Sequence, residues 1–434
     1  MQAKKVAVVG GGLGGLTAAA LLARGGCEVT LYERSKHLGG RARTTEVDGF
    51  RFNLGPHALY RGGAAMRVLE RLGVKPPGNI PSPAGAHALR EGRLHTLPRG
   101  AVTLMTTDVL SLAGKLEVAK LLAGLARIDT GPLGRMSMRE WLETRLTRKD
   151  SQALLGALVR VSSYCADFEA LSAEAGLKQL QCATAANVLY VDGGWSTLVD
   201  AVERLGREAG VRLELSSRVE AVVLQAGGAR VEGVRLADGT VHDADAVVLA
   251  GSPADVAALV PGDAVLAMEA REAVPIQAAT LELGLSALPR PDALFALGLD
   301  RPHYVSVHSA SAKLAPEGGA MVHVAKYLGG ADTEASEAEL EAVLDALQPG
   351  WRAKVVARRF RPSLTVSAGL PRAVNGGLAG RPAVEVPHVG GLYRVGDWVG
   401  AEGMLADASL ASAEAVEQAL VQRIATPQRR AAGA

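Results

Sequence analysis

Apolar residues near the start of the chain occur in short runs separated by glycine-rich turns. Val6–Val9 is a β-branched run that predicts a buried strand, and Gly10–Gly15 ends it. Apolar residues then recur at helical spacing from Leu16 to Arg24, and a second predicted strand ends at Glu33. A strand, a glycine turn, a helix and a strand are the beginning of a parallel α/β unit.

Residues 76–190 have a different pattern, which predicts a mostly helical block. Val102–Arg127 and Ser151–Cys165 carry apolar residues at helical spacing. Ser137 and Glu140 have the spacing of a capping box, in which each side chain bonds the other residue's backbone N–H. We therefore expect a helix to start at this pair.

Strand patterns return after residue 190. Asp238 and Gly239 predict a hairpin turn, because this pair tolerates the positive φ angles that such turns need. An acidic helix is predicted at Glu334–Leu347, and the chain ends in a strand, a glycine turn and a long Ala-rich helix, with a disordered tail from residue 426. The other predicted strands are Val211–Leu215, Val219–Leu224, Arg230–Leu236, Ala246–Leu249, Ala278–Leu283, Tyr304–His308 and Ala320–Lys326.

Composition narrows the classes of protein. Hydrophobic residues make up 48% of the chain and charged residues 21%, so a large core can form. The net charge of +2 gives no electrostatic reason to expect a nucleic-acid partner. Cys27, Cys165 and Cys182 form no Cys-x-x-Cys pair, so we predict neither a disulfide scaffold nor a metal site, and a reducing cytoplasm fits best.

A membrane span is not predicted, because no segment offers ~20 uninterrupted apolar residues. The apolar face of Leu116–Ile128, with Lys115 and Lys120 nearby, has two interpretations. Either this face packs over the active site, which is the plainer interpretation, or it lies on a membrane surface. The predicted location is the cytoplasm, with peripheral membrane contact as the open alternative.

The glycine turn carries the strongest chemical signal. Gly10, Gly12 and Gly15 satisfy G-x-G-x-x-G between a predicted strand and helix, where backbone N–H groups and the helix N-terminus favour a pyrophosphate. Glu33, about 20 residues further on, is placed to accept hydrogen bonds from a ribose. These features predict a dinucleotide site and leave NAD and FAD undecided.

Two further motifs favour a flavin dinucleotide. Leu38-Gly39-Gly40-Arg41 adds a second glycine turn with a guanidinium, which suits a pyrophosphate. Gly396-Asp397 closes a late strand and leads through Gly403 into a helix. A carboxylate there suits a polyol chain, and the helix N-terminus suits an electron-rich ring edge.

Together these motifs resemble the flavin amine oxidase and phytoene desaturase superfamily, and most of all its phytoene-dehydrogenase-like members. Val191-Asp192-Gly193-Gly194-Trp195 matches the family's glycine pair before a helix, and the resemblance extends over the whole chain. It implies an α/β fold with a Rossmann-like FAD domain of the two-dinucleotide-binding type, interleaved with an α+β substrate domain. The implied FAD domain comprises residues 1–75, 191–262 and 386–434, and the substrate domain residues 76–190 and 263–385.

The resemblance also implies roles for individual residues in noncovalent FAD binding. The glycine turn would contact the pyrophosphate, Glu33 would bind the ribose and Arg41 would lie by the phosphates. The Val219 backbone would contact the adenine, and Asp397 would bind the ribityl chain. The implied cofactor-binding residues are Gly10, Gly12, Leu13, Gly14, Gly15, Glu33, Arg34, Gly40, Arg41, Gly55, Pro56, His57, Val219, Gly396, Asp397, Gly403 and Met404.

Two residues are candidates for acid/base catalysis, each with a plainer alternative. His57 is either a proton relay or a turn residue that packs the flavin. Asp407 is either an acid/base group or a carboxylate favoured by its helix N-terminus. Related amine oxidases often carry a lysine on a substrate-domain strand, whereas Ile276–Thr280 contains none.

Three functions follow as hypotheses. The first is an FAD-dependent desaturase that removes a hydride from an apolar or isoprenoid-like small molecule to form C=C. The second is an FAD-dependent amine or amino-acid oxidase, which the missing lysine disfavours. The third is a flavin-assisted isomerase or cyclase without net oxidation. The electron acceptor and the oligomeric state are not predicted.

Overall fold

A computed structural model describes residues 3–425. The predicted tail from residue 426 lies outside the described residues. Over the described part of the chain the helices are α1 (Leu13–Arg24), α2 (Ala64–Leu72), α3 (Ala101–Thr106), α4 (Leu112–Gly124), α5 (Met138–Arg145), α6 (Lys149–Ser163), α7 (Ala173–Ala186), α8 (Ser196–Glu208), α9 (Pro253–Leu259), α10 (Ala264–Glu272), α11 (Glu337–Leu347) and α12 (Leu405–Ala425).

The strands, in chain order over the same residues, are β1 (Lys5–Val9), β2 (Glu28–Glu33), β3 (Thr45–Val47), β4 (Phe50–Phe52), β5 (Leu59–Tyr60), β6 (Gly78–Asn79), β7 (Ala86–Arg90), β8 (Arg93–Thr96), β9 (Val188–Val191), β10 (Arg212–Leu215), β11 (Val219–Leu224), β12 (Val231–Leu236), β13 (Val241–Asp243), β14 (Ala246–Leu249), β15 (Ile276–Leu285), β16 (Phe295–Gly298), β17 (His303–Val307), β18 (Ala320–Leu328), β19 (Val355–Ser367) and β20 (Leu392–Arg394).

A five-stranded parallel sheet brings together segments that are distant in the chain. Its order is β10-β2-β1-β14-β20, and each neighbouring pair is parallel. Parallel sheets are covered on both faces, which explains the continuous apolar runs of β1 and β14. Helices α1, α8 and α12 cover one face, where Leu22, Val202 and Leu410 are fully buried in one core.

The second large sheet has seven strands in the order β19-β15-β18-β17-β16-β7-β8. Strand β15 pairs antiparallel with both β18 and β19. Every residue of β18 is buried. One face packs against α11 through Leu281 and Leu344, and the other faces the cores of the helical region. Side chains alternate between the faces, so Ala278 and Thr280 lie opposite Leu281.

These sheets confirm the predicted fold class, a parallel Rossmann-like unit joined to a mixed substrate-domain sheet. The strands of the parallel sheet come from the three predicted FAD-domain segments. The domain boundaries stay a prediction, since β9 pairs with both β5 and β6 across a predicted boundary.

Most predicted elements are confirmed, including the capping box of Ser137 and Glu140 and the hairpin turn at Asp238-Gly239. The stretch Val102–Arg127, predicted from its helical spacing, does not form a single helix. It breaks into α3 and α4 because the Ser111 side chain accepts a hydrogen bond from Gly114 N and starts a new helix.

Residues 76–190 were predicted to be mostly helical, but they also contain a β-hairpin that was not predicted. Strands β7 and β8 pair antiparallel and extend the seven-stranded sheet. Their turn residues Glu91 and Gly92 have φ angles of +51° and +74°, the geometry that suits a two-residue hairpin. The strands are rich in Ala, Arg and His rather than β-branched residues, which hid them from a pattern search.

Candidate active site

The glycine turn joins β1 to α1 by a path that only small residues allow. Gly10 has a φ of +111°, and a Cβ there would lie 2.7 Å from the Ala250 carbonyl oxygen. A Cβ on Gly15 would lie 2.1 Å from the Gly10 carbonyl oxygen. The turn therefore holds its backbone close to the sheet and leaves the N-terminus of α1 facing the space beyond the strand ends.

A cavity of about 900 Å³ opens along this turn. Its wall runs from the ends of the parallel strands to the seven-stranded sheet, and therefore joins the two predicted domains. The lining residues form four groups. The turn contributes Gly10, Gly12, Leu13, Gly14 and Gly15, and the middle of the wall contributes Gly40, Arg41, Gly396 and Asp397. One end of the cavity is lined by Tyr32, Glu33, Arg34, Ser217, Arg218, Val219 and Asp255, and the other by Pro56, His57, Tyr164, Trp195, Ala278, Thr280, Leu364, Thr365 and Val366.

Glu33 closes one end of the cavity from the tip of β2. Its Oε2 accepts a hydrogen bond of 2.7 Å from Gly11 N, and its Oε1 accepts one of 2.8 Å from Ser35 N. The side chain is thus held at the second strand end, beside Val219 of β11. A carboxylate fixed there is placed to bind a ribose.

Arg41 and Asp397 meet in the middle of the cavity wall. Arg41 Nη1 lies 2.6 Å from Asp397 Oδ2 and also donates a hydrogen bond of 2.8 Å to the Val366 carbonyl oxygen. Asp397 Oδ1 accepts a hydrogen bond of 3.1 Å from Ala368 N. These two motifs, separated by more than 350 residues in the sequence, are therefore one structural feature.

His57 forms part of the opposite end, in the turn after β4. Its Nδ1 lies 3.0 Å from the Gly55 carbonyl oxygen and its Nε2 lies 3.1 Å from the Arg41 carbonyl oxygen. Its ring packs edge-on against Trp195. Burial lowers the pKa of His57, although both carbonyl oxygens favour the charged ring. Since both ring nitrogens face backbone oxygens, the geometry favours the packing interpretation over a proton relay.

Tyr164 is a cavity residue that the sequence did not reveal. It follows α6 with a φ of +59°, and its hydroxyl donates a hydrogen bond of 3.2 Å to the Pro56 carbonyl oxygen. A left-handed conformation in a bulky residue is strained and often marks a functional position. No local pattern indicates this, because the conformation depends on contacts between distant segments.

Strands β15 and β19 supply the remaining wall at this end. Ala278 and Thr280 lie there; Ala278 is opposite Leu364 of β19, and Thr280 is the cross-strand partner of Arg361. This strand has no lysine in the sequence. In the structure, its small side chains form the cavity wall at this point. A lysine is absent from the cavity lining throughout the described residues.

Three predicted cofactor residues do not line the cavity. Gly55 lies behind its wall, where a Cβ would come within 2.8 Å of Leu364. Met404 is buried in the helical core, and Gly403 packs against Asp407. The other predicted cofactor residues all contribute to the lining.

Asp407 lies in the first turn of α12 and points away from the cavity. It is 3% exposed, and its Oδ1 accepts a hydrogen bond of 2.8 Å from Ala65 N in the first turn of α2. The carboxylate therefore lies at the N-termini of two helices and caps the second one. Burial raises the pKa of Asp407 to about 7, although the hydrogen bond from the Ala65 N–H acts in the opposite direction. This position favours the structural interpretation over acid/base chemistry.

The cavity fits an extended dinucleotide. Ligand cavities typically measure ~300–1,000 Å³, and this one is at the upper end of that range. A Cβ on Gly12 would meet nothing within 4 Å, so the turn leaves room for a phosphate. The helix N-terminus, the Arg41 guanidinium and the Glu33 carboxylate form a suitable set of donors and acceptors.

We predict that Asp407→Asn keeps flavin content and turnover, while Asp407→Ala lowers the free energy of unfolding by about 1–2 kcal/mol through loss of the cap.

The Asp407 pKa is raised from 3.8 to about 7, so its contribution to stability is full below pH 3.8 and is lost by about pH 7. The stability of the Asn variant relative to wild type should thus rise over this range and then level off. Urea unfolding at several pH values measures this. A large loss of turnover in the Asn variant would contradict the capping role.

One relative, 4,4'-diaponeurosporene oxygenase from Staphylococcus aureus (strain USA300), is 28% identical over 282 residues, which cover 56% of this chain and 55% of the relative. The chain thus aligns with about half the length of the curated relatives it matches.

Solved structures share the fold over nearly the whole chain. An oxidoreductase from Methanosarcina mazei superposes with a TM-score of 0.73 at 20% identity, covering 95% of this chain and 100% of that one. Putrescine oxidase with bound putrescine superposes with a TM-score of 0.72 at 16% identity, covering 97% and 100%. The family model for flavin containing amine oxidoreductases matches residues 13–419. The protein therefore belongs to the flavin-containing amine oxidoreductase family.

Proposed function

We propose that the cavity binds FAD noncovalently and that the enzyme desaturates an apolar, isoprenoid-like small molecule. The family implies a flavin cofactor. Glu33 and Val219 would hold its adenosine, the glycine turn and Arg41 its pyrophosphate, and Asp397 its ribityl chain. When bound, the flavin supplies the two-electron acceptor for hydride transfer.

The observation that carries the substrate class is the character of the wall at the His57 end. Ala278, Leu364, Val366 and Trp195 are apolar, and His57 has both ring nitrogens against backbone oxygens. Such a wall orients a hydrocarbon chain by shape and excludes water. These apolar residues therefore position the substrate.

The same wall disfavours an amine substrate. An ammonium group is stabilised by a nearby carboxylate. Among the described lining residues, Asp397 is paired with Arg41, while Glu33, Glu220 and Asp255 lie at the opposite end. The curated relative's name refers to a diaponeurosporene, which supports an apolar substrate for this chain at the level of a proposal.

Anaerobic bleaching of the flavin tests the substrate class. FAD-loaded protein is mixed with acyclic isoprenoid polyenes in detergent micelles, and separately with putrescine, benzylamine and amino acids. We expect loss of the flavin's visible absorbance with one or more polyenes and none with the amines. Bleaching by amines alone would replace the proposed desaturase with an amine oxidase.

We predict that Glu33→Ala weakens FAD binding about ten- to a hundred-fold, since hydrogen bonds to a charged group contribute about 1.5–3 kcal/mol. Glu28→Ala is the matched control, because Glu28 lies on the same strand, outside the cavity lining, and pairs with Arg212. Titration of the apoprotein with FAD measures both dissociation constants. Equal affinity in the two variants would show that the ribose site is misplaced.

We also propose that α3 and α4 contact an anionic membrane surface. No helix of the described residues is long and apolar enough to cross a membrane. Yet Val102, Met105, Leu112 and Leu116 are 64–76% exposed, an unusual concentration of large apolar side chains at the surface. Lys120 is also exposed there, which suits an anionic lipid headgroup.

Helix α6 connects this surface with the substrate end of the cavity over about 20 Å. The first residues of α4 pack on α6, where Ser111 N donates a hydrogen bond of 2.7 Å to Asp150 Oδ2. The other end of α6 leads directly to Tyr164 in the cavity wall. A lipid-soluble substrate would thus reach the enzyme on the side that carries the exposed apolar residues.

We predict that the Leu112→Glu, Leu116→Glu double variant loses most of its binding to phosphatidylglycerol-containing vesicles. Its controls are Val374→Glu, which changes an apolar residue that is 65% exposed elsewhere, and vesicles of phosphatidylcholine alone. Vesicle co-sedimentation measures the bound fraction. Failure of the wild-type protein to bind, or equal binding by the double variant, would contradict the proposal.

A further inference from the structure

A row of polar side chains crosses the seven-stranded sheet behind the cavity wall. Glu282 of β15 is the direct cross-strand partner of His323 on β18, and His323 is the partner of Ser306 on β17. On the other side, Glu282 pairs with Arg359 of β19. Because side chains alternate along a strand, Glu282 lies on the same face of β15 as the cavity residue Thr280.

Glu282 and His323 are both fully buried, with side chains 0% exposed. Glu282 Oε2 lies 2.5 Å from Arg361 Nη1. Its Oε1 lies 3.6 Å from His323 Nδ1, too far for a normal hydrogen bond, and neither His323 nitrogen has a hydrogen-bond partner among the described residues. Such unpaired buried groups are uncommon and frequently serve a function.

A second histidine extends this cluster. The His308 ring lies 4.3 Å from the His323 ring and stacks on Tyr190 at 4.0 Å. Its Nε2 lies 3.0 Å from the Tyr304 hydroxyl, and its Nδ1 has no partner among the described residues. Polar atoms that can carry or accept a proton are therefore concentrated around Glu282.

Burial and the charges around Glu282 determine which member of the cluster binds a proton at neutral pH. Burial raises the pKa of Glu282 to about 7, although Arg361, Arg359 and the Gly55 N–H all favour the ionised carboxylate. Burial, together with a smaller contribution from His57, lowers the pKa of His323 to about 3. Burial also lowers the pKa of His308. At neutral pH the carboxyl group is thus the proton-binding member of the cluster.

We propose that Glu282, with His323 beside it, accepts the proton released in the cavity and acts through the hydroxyl of Thr280. This inference rests on the proposed desaturation. When two C–H bonds of a saturated carbon pair break, one hydrogen leaves as hydride to the flavin. The other leaves as a proton whose bonding electrons form C=C, so a base must take that proton.

Thr280 is positioned to connect the cavity with Glu282. Its Oγ1 is buried without a protein partner among the described residues, and the residue lines the cavity. Residues two apart on one strand face are ~7 Å apart. A proton would cross this gap by way of one bridging water. A hydroxyl both donates and accepts, so it can pass a proton on without holding a charge.

An infrared pH titration of the FAD-loaded enzyme tests the proton site without any substrate. We expect a protonated-carboxyl C=O band that disappears as the pH rises through about 7 and is absent from Glu282→Gln. The pKa of Asp407 is also raised to about 7, so Asp407→Asn removes that second buried carboxyl and serves as the control. If Glu282→Gln leaves every band of the Asp407→Asn background unchanged, the inference is overturned.

The pH dependence of flavin bleaching tests the role of this site. With a polyene that bleaches the wild-type flavin, the rate should rise with pH through about 7 as Glu282 ionises. Glu282→Gln should be about a hundred-fold slower at pH 8 and lose this dependence, because a positioned base contributes at least that much. Thr280→Val keeps the shape of the side chain and should keep the infrared titration but lose the pH-dependent rate.

These results separate two failures. If no polyene bleaches the flavin while Glu282 titrates as described, the proposed substrate class fails. If a polyene bleaches the flavin and Glu282→Gln keeps the wild-type rate and pH dependence, the inference fails and the desaturase proposal stands.

Discussion

The contact between Arg41 and Asp397 is the interaction on which the arrangement of the cavity depends. Arg41 follows the first β-α-β unit, and Asp397 follows the last strand of the parallel sheet. The same guanidinium bonds the Val366 carbonyl oxygen, and the same carboxylate accepts from Ala368 N, so both also hold the segment around the end of β19. A nearly buried carboxylate needs such donors. Its pairing therefore fixes the parallel sheet, the C-terminal motif and the substrate-domain sheet at one point of the cavity.

The central strands of the seven-stranded sheet show how this arrangement limits the available chemistry. β15 and β18 are buried on both faces, which suits Leu281 and Val324 but leaves Glu282 and His323 in an environment where charge is costly. A purely apolar row would pack there without that cost. That these polar residues lie next to the wall formed by Thr280 is most simply explained by a function in the cavity, and proton transfer is the function their groups perform.

Local patterns predicted the parts of the protein that local physics determines. The β1–α1 glycine turn, the Ser137 capping box and the Asp238-Gly239 hairpin each depend on a few neighbouring residues, and all are present. The β7–β8 hairpin was missed because its Ala, Arg and His residues lack a strand signature. Tyr164 and Glu282 were missed for another reason: their importance arises only where α6, β15 and β18 meet. Asp407 was singled out from its place in a helix, but its direction, toward α2, depends on tertiary packing.

The central claim is that this cavity holds FAD without a covalent bond. The most direct test is a visible absorption spectrum of the purified protein before and after acid precipitation, with phosphodiesterase treatment of the supernatant. The account predicts a flavin spectrum, yellow cofactor released into the supernatant, and conversion of that cofactor to FMN by the phosphodiesterase. A colourless protein that also fails to take up added FAD would contradict it, and colour retained in the precipitate would contradict the noncovalent attachment.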